Sequence, residues 1–231
     1  MRIIGYRNRR DIDVEFSDGF ILYHTRYPNF LNGSISSLLF PSYLGVGYIG
    51  VGKYKPKIDG IKTSAYIKWG SMLTRCYADK YIIRKNNHNC YVCEDWLNFQ
   101  NFAEWHYENY YEIDGESLEL DKDIVEKNNQ VYCPNKCLYV PHRLNTILCN
   151  RHNDRGLYAI GVCKGKKNYY AYCNIVGIQV GLGKFDTEIE AFLAYKNAKE
   201  NEIKRLSETY RNSIPDNVID AIQKYVVEIT D

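Results

Sequence analysis

No stretch of this sequence approaches the ~20 consecutive apolar residues of a membrane-spanning helix. The opening residues Met1-Arg2-Ile3-Ile4-Gly5-Tyr6-Arg7 have no apolar core of a secretory signal. No membrane association is therefore expected, and the expected location is the cytoplasm. In a reducing compartment the eight cysteines read as thiols or metal ligands rather than disulfides. No Gly-x-x-x-x-Gly-Lys-Ser/Thr loop is present, which argues against a nucleoside triphosphate site of that kind. Internal repeats and low-complexity tracts are also missing. So is a charge excess of either sign: 30 Lys+Arg against 28 Asp+Glu leave a net +2, too little for the whole chain to announce a nucleic-acid partner.

What is there is ordinary in bulk and uneven in detail. The 231 residues suffice for one large or two to three small domains, and 45% hydrophobic with 25% charged residues is typical of globular chains. Basic charge concentrates in residues 151–184, where Arg151, Arg155, Lys164, Lys166, Lys167 and Lys184 face Asp154 alone. Residues 94–126 are strongly acidic, so a DNA-clamping surface through them would need a metal to offset the charge. Abundant Asn, Lys, Ile and Tyr, with little Ala, suggest an AT-rich genome of the kind many bacteriophages have. The cytoplasm would then be that of the host.

Periodicity predicts an α+β chain in three modules: a β-rich N-terminal module over 1–60, a core over 61–150, and a sheet with C-terminal helices over 151–231. Asp11 to Phe16 alternates, with Ile12, Val14 and Phe16 inward, and Ser17-Asp18-Gly19 turns it into a return strand. The glycines of 45–52 mark a loop of close backbone approach, read either as phosphate contact or as a tight connector. Helices are expected over 63–78, with Trp69, Met72, Leu73 and Cys76 inward, and over 95–107, with Trp96, Phe99, Phe102 and Trp105 on one face. Residues 118–150 read as strand, loop, strand, helix. Further on, Gly161–Lys164, Tyr169–Ile175 and Ile178–Phe185 read as three strands. Tyr170, Tyr172 and Asn174 share one face of the middle strand, and Val176-Gly177 turns into the third. Thr187-x-x-Glu190 is a capping box for a helix running to about Tyr210, and Pro215 separates it from a last helix.

This last block resembles the AP2 DNA-binding domain. The resemblance lies in Gly161, Val162, Ala171, Leu182, Gly183, Phe185, Asp186, Thr187, Glu190, Ala191, Ala194, Tyr195 and Ala198. It implies a sheet laid in the major groove of double-stranded DNA and a helix that braces it. By position, Cys163, Lys164, Tyr172, Asn174, Gln179 and Gly181 would face DNA. Lys164, Lys166 and Lys167 would hold phosphates, with Tyr170 and Tyr172 beside them. Asn174 and Gln179 suit adenine. The family's Arg and Trp do not stand at these positions, and a small α+β domain that binds protein, or nothing, is the alternative.

Upstream, Leu120-Asp121-Lys122-Asp123-Ile124, the run Val131 to Pro141, His142-Arg143-Leu144-Asn145, and Cys90-Tyr91-Val92-Cys93-Glu94-Asp95-Trp96 resemble phage HNH-type endonucleases that carry a C-terminal AP2 domain. The resemblance implies a ββα unit around one divalent ion, Mg2+ or Mn2+, with Asp121 and Asn145 as ligands. Lys122 stands where the family has its general-base histidine, and Lys136 where it has the asparagine that orients that base. Asp123 or His142 is then the substitute base. Three readings follow: a homing-type endonuclease or nickase, a nuclease-like fold that only binds DNA or blocks a host enzyme, and an unrelated interaction protein. Asp121 and Asp123 also read simply as solvated strand charges. Cys90-x-x-Cys93 and Cys133-x-x-x-Cys137 have the make-up of a four-thiolate structural zinc site, with buried free thiols as the alternative. Cys76, Cys149, Cys163 and Cys173, and His24, His88, His106 and His152, read as packing or surface residues.

Overall fold

The computed structural model describes residues 1–78, 90–148 and 157–231. Cys149, His88, His152, Arg151, Asp154, Arg155 and the expected module boundary at 150 lie outside them. The chain is α+β and divides into two compact units, one of Met1–Tyr110 with Asn129–Lys136, the other of Tyr111–Asn128 with Cys137–Asp231. The segment expected as a middle module therefore contributes to both. Among the described residues no helix is long and apolar enough to cross a membrane.

The first unit opens with an antiparallel sheet of β1 (Arg2–Asn8), β2 (Asp11–Glu15) and β3 (Ile21–Thr25). Ile12 and Val14 are fully buried, as their alternation requires. Asp13, between them, is buried as well, at 9% exposure, because it has ionic partners described below. A short helix α1 (Tyr27–Leu31) and a two-residue-strand hairpin, β4 (Lys57–Ile58) and β5 (Ile61–Lys62), follow. Helix α2 (Ser64–Tyr77) starts at Thr63, whose hydroxyl accepts the Tyr66 N–H. It buries Trp69, Met72, Leu73 and Cys76. The aromatic stripe of 95–107 is carried by two helices, α3 (Glu94–Leu97) and α4 (Phe99–Asn109), because Asn98 leaves helical geometry to cap α4 through the Gln100 N–H. Strands β6 (Tyr91–Val92) and β8 (Val131–Tyr132) pair in parallel.

The glycine loop of 45–52 packs within this unit. A Cβ at Gly47 would meet Leu73 and Trp69 at 2.5 and 2.8 Å, one at Gly50 would meet Asn98 Oδ1 at 2.1 Å, and one at Gly52 would meet Gln100 Oε1 at 2.3 Å. The close approach is thus to the helices. Gln100 ties the loop down by donating to the Ile49 and Tyr54 carbonyls and accepting the Tyr54 N–H.

The second unit holds two layers around one core. Strands β7 (Leu118–Asp121) and β9 (Leu138–Pro141) form an antiparallel pair, and helix α5 (His142–Leu148) leaves β9 directly. A second sheet, β10 (Val162–Lys164), β11 (Tyr169–Ile175) and β12 (Ile178–Phe185), packs on the long helix α6 (Glu188–Glu208), and α7 (Asp216–Gln223) follows. Val140, Leu144 and Leu148 share their buried cluster with Val162, Ala171, Cys173, Phe192, Tyr195, Ile203, Leu206 and Ile219. The ββα element and the three-stranded sheet therefore have one continuous core. The capping box is formed in full by Thr187 and Glu190.

Candidate functional site

The register of β7 on β9 decides which side chains meet α5. Leu118 pairs with Pro141, Glu119 with Val140, Leu120 with Tyr139 and Asp121 with Leu138. Cross-strand partners share a face, so Glu119 and Asp121 lie on the face of Leu138 and Val140, which pack in the core with Leu144 and Leu148 of α5. Two carboxylates two residues apart are thereby placed under a helix. Glu116 fixes the start of that helix, its carboxylate accepting the Arg143 N–H at 3.0 Å and the Tyr210 hydroxyl at 2.7 Å. Burial and this bond push the Tyr210 phenol up to about 12.

Asp121 Oδ1 accepts the backbone N–H groups of Asp123 and Ile124 at 2.8 and 2.9 Å, which turns the chain out of β7. Burial raises its carboxyl above the ordinary range, against the pull of those two bonds. On α5, Asn145 Oδ1 is buried and has no hydrogen-bond partner among the described residues, a state that normally costs about 1–3 kcal/mol. One turn earlier, His142 Nδ1 lies 3.3 Å from Glu119 Oε1. Lys122 and Asp123 pair with each other, with Nζ at 2.8 and 2.9 Å from the two carboxylate oxygens. Asp123 is thus bound to an ammonium, whereas His142 has a carboxylate to orient it. Glu119 was not singled out from sequence. The only signal was its alternation with Asp121.

An oxygen-only donor pair such as Asp121 and Asn145 suits a hard divalent cation, which keeps waters in its remaining positions. The orphaned Asn145 oxygen is the observation that fits such an ion. Even so, among the described residues the only cluster of three or more His, Cys, Asp or Glu ligand atoms within 4.8 Å is Asp11, Asp13 and His24. That cluster already holds a cation. The Arg7 guanidinium bonds Asp11 at 2.7 Å and Asp13 at 2.8 Å, and His24 Nδ1 lies 2.9 Å from Asp11 Oδ1. Arg7, first, and His24 hold the Asp11 carboxyl down at about 2. The cluster reads as an ionic clasp of the N-terminal sheet.

Of the proposed zinc ligands, Cys90, Cys93 and Cys133 belong to the first unit and Cys137 to the second. Cys93 and Cys133 follow the paired strands β6 and β8, and burial pushes the Cys93 thiol up. Cys90 Sγ lies 3.3 Å from Cys76 Sγ. No pattern of spacing pointed to that pairing.

In the β10–β11–β12 sheet, Ala171 and Cys173 are buried towards α6 while Tyr172 and Asn174 are exposed. Tyr170 pairs with Cys163 and Lys184, Tyr172 with Gly181, and Asn174 with Gln179. The open face thus carries Tyr170, Tyr172, Asn174, Gln179 and Lys184. Lys166 and Lys167 are exposed at the β10–β11 turn. Lys164 pairs with Tyr169, not with the open-face residues, and its ammonium stacks 3.6 Å from the Tyr169 ring centroid. Beyond Ala171 the β10 side of β11 has no strand partner among the described residues. There a cavity of about 890 Å3 opens between α5, the 158–161 segment, β11 and α6. His142 and Arg143 line one side of it, and Tyr172, Asn174 and Gln179 the other.

Comparison of the chain with family models, with curated proteins and with solved structures finds no match.

Proposed function

We propose that the chain is a double-stranded DNA-binding protein of phage type whose ββα element is a degenerate HNH-like centre, acting as a metal-dependent endonuclease or nickase. The observation that carries the reading is the orphaned carboxamide oxygen of Asn145, buried on the helix that follows the strand pair ending at Asp121. In this reading Asp121 and Asn145 hold Mg2+ or Mn2+, which would stabilise charge on a scissile phosphate. Of the two candidate bases, His142 is the better placed. Glu119 stands at its Nδ1 and favours the tautomer whose Nε2 accepts a proton from water. Asp123 is committed to Lys122. The sheet would read the target: Lys166, Lys167 and Lys184 on phosphates, Asn174 and Gln179 on base edges.

A second reading, a DNA binder without cleavage that would act by blocking a host enzyme, is favoured by a different observation. Asp121 already spends one oxygen on closing its own loop. The experiment that separates the two is plasmid nicking in Mg2+ or Mn2+, on DNA taken from the genome that encodes the chain. Metal-dependent nicking lost in Asp121→Ala and reduced at least ~100-fold in His142→Ala is the expected outcome. Intact DNA binding with no cutting by the parent protein would transfer the conclusion to the second reading.

A further inference from the structure

The cavity beside β11 shares His142, Asn174 and Gln179 with the site proposed above, but neither reading requires an enclosed space there. Its volume of about 890 Å3 lies within the ~300–1,000 Å3 range of small-molecule sites. It runs from the nuclease-like helix to the open edge of the sheet within one unit and one core. We infer that it is a pocket for one unpaired adenine nucleotide, presented free or extruded from a DNA strand. The choice of nucleotide chemistry rests on the DNA-binding reading above.

Three features of the lining set the class of ligand. The first is a pair of facing carboxamides, Asn174 and Gln179, in register across β11 and β12. Neither side chain makes a hydrogen bond among the described residues, so their donors and acceptors are unspent. A carboxamide matches the donor–acceptor edge of adenine in a bidentate way. The second is Tyr172, two residues from Asn174 on the same face and opposite Gly181. A Cβ at Gly181 would lie 3.7 Å from the Tyr172 ring, an ordinary contact distance, so the ring lies along the sheet beside this position. An exposed aromatic face at that position is a stacking platform for a base. The third is charge. The Arg143 guanidinium makes no hydrogen bond or ion pair among the described residues, and Lys199 also lines the cavity. The carboxylate of Glu202, on the same lining, is bonded by Arg205 at 2.7 and 2.8 Å and by the Val176 N–H, and it also feels the Arg143 charge. The Arg143 guanidinium offers two N–H donors for a phosphate, and the carboxamides offer a donor–acceptor edge for a base. Extrusion of a base into such a pocket costs least where the base is already unpaired.

The test uses the full chain. Calorimetric titrations with dAMP, dTMP and inorganic phosphate are run beside anisotropy titrations with a fully paired duplex and with the same duplex carrying one bulged adenosine. Expected is one-to-one binding of dAMP that is tighter than dTMP and phosphate and weakened roughly ten-fold or more in Arg143→Gln and Asn174→Ala. Should either variant melt early, the ranking of the three small ligands by the parent protein decides. A preference for the bulged duplex with no binding of free dAMP also supports the pocket, and assigns the nucleotide to the polymer. Equal binding of paired and bulged duplexes, with dAMP no better than phosphate, overturns the pocket and leaves the DNA reading standing. Binding of dAMP without binding of any duplex does the reverse.

Discussion

Asp121 carries the sharpest conflict of any single residue. Its carboxyl is raised by burial while two backbone N–H groups favour its ionised form. A carboxyl whose folded pKa is raised stabilises the fold at low pH and loses that contribution as pH climbs from the ordinary carboxylate range through the folded value. Asp121→Asn keeps an oxygen for both N–H groups and removes the buried charge. It is therefore expected to raise the melting temperature at pH 7 by a few degrees while abolishing any stabilisation by added Mg2+ or Mn2+. A thermal melt with and without metal checks both halves, and a lower metal-free melting temperature would contradict the account. His106 gives a cleaner pH signature. It is fully buried and bonds Ser64, and burial, with Lys68 nearby, pushes its imidazole down to about 4. The unfolded chain takes up a proton below about 6.5 that the folded chain refuses. Stability is then lost between pH ~6.5 and ~4, by up to about 3 kcal/mol. His106→Phe should flatten that part of a urea-midpoint profile, and an unchanged slope would exclude His106 as its source.

Elements show where local signals suffice. The β11–β12 turn is built with Val176 at φ +53° and Gly177 at φ +79°, the backbone of a type I′ turn, for which Asn-Gly is the favoured pair. A β-branched residue is strained there. Val176→Asn should relax the turn and raise stability by about 1 kcal/mol in denaturant titration. The Glu202 carboxylate on the Val176 N–H, at 2.9 Å, is kept in that variant, so no gain would exclude Val176 as a source of strain. The strands around this turn, and the Thr187–Glu190 box that follows it, were legible because each depends on residues close in sequence. Burial of Asp13 was not, since Arg7 and the His24 N–H satisfy it from neighbouring strands. The aromatic helix was read as one element because period alone does not register that Asn98 prefers to cap. Glu119 and the Cys76–Cys90 contact were missed for a similar reason. Register across β7–β9 and the path of α2 are tertiary facts, and the side chains involved carry no local motif.

For the whole molecule, the modest net charge of +2 means that the proposed DNA binding would have to come from a local patch. If Lys166, Lys167 and Lys184 are the phosphate contacts, the logarithm of affinity should fall with the logarithm of salt concentration at a slope of roughly −3. Anisotropy titrations between ~50 and ~200 mM salt measure it, and a flat response would remove the sheet as a DNA surface. The two units also fail to follow the chain in order. The first one needs residues 129–136, which are made only after Tyr111–Asn128 of the second. During synthesis, therefore, β6 waits without its partner strand until β8 has emerged, roughly 1–5 s after Tyr110 at typical elongation rates. In that interval the ribosome holds an unfinished N-terminal unit beside the opening strand of the next. Codon-dependent pausing anywhere in residues 111–136 would prolong the time in which chaperones or proteases reach it.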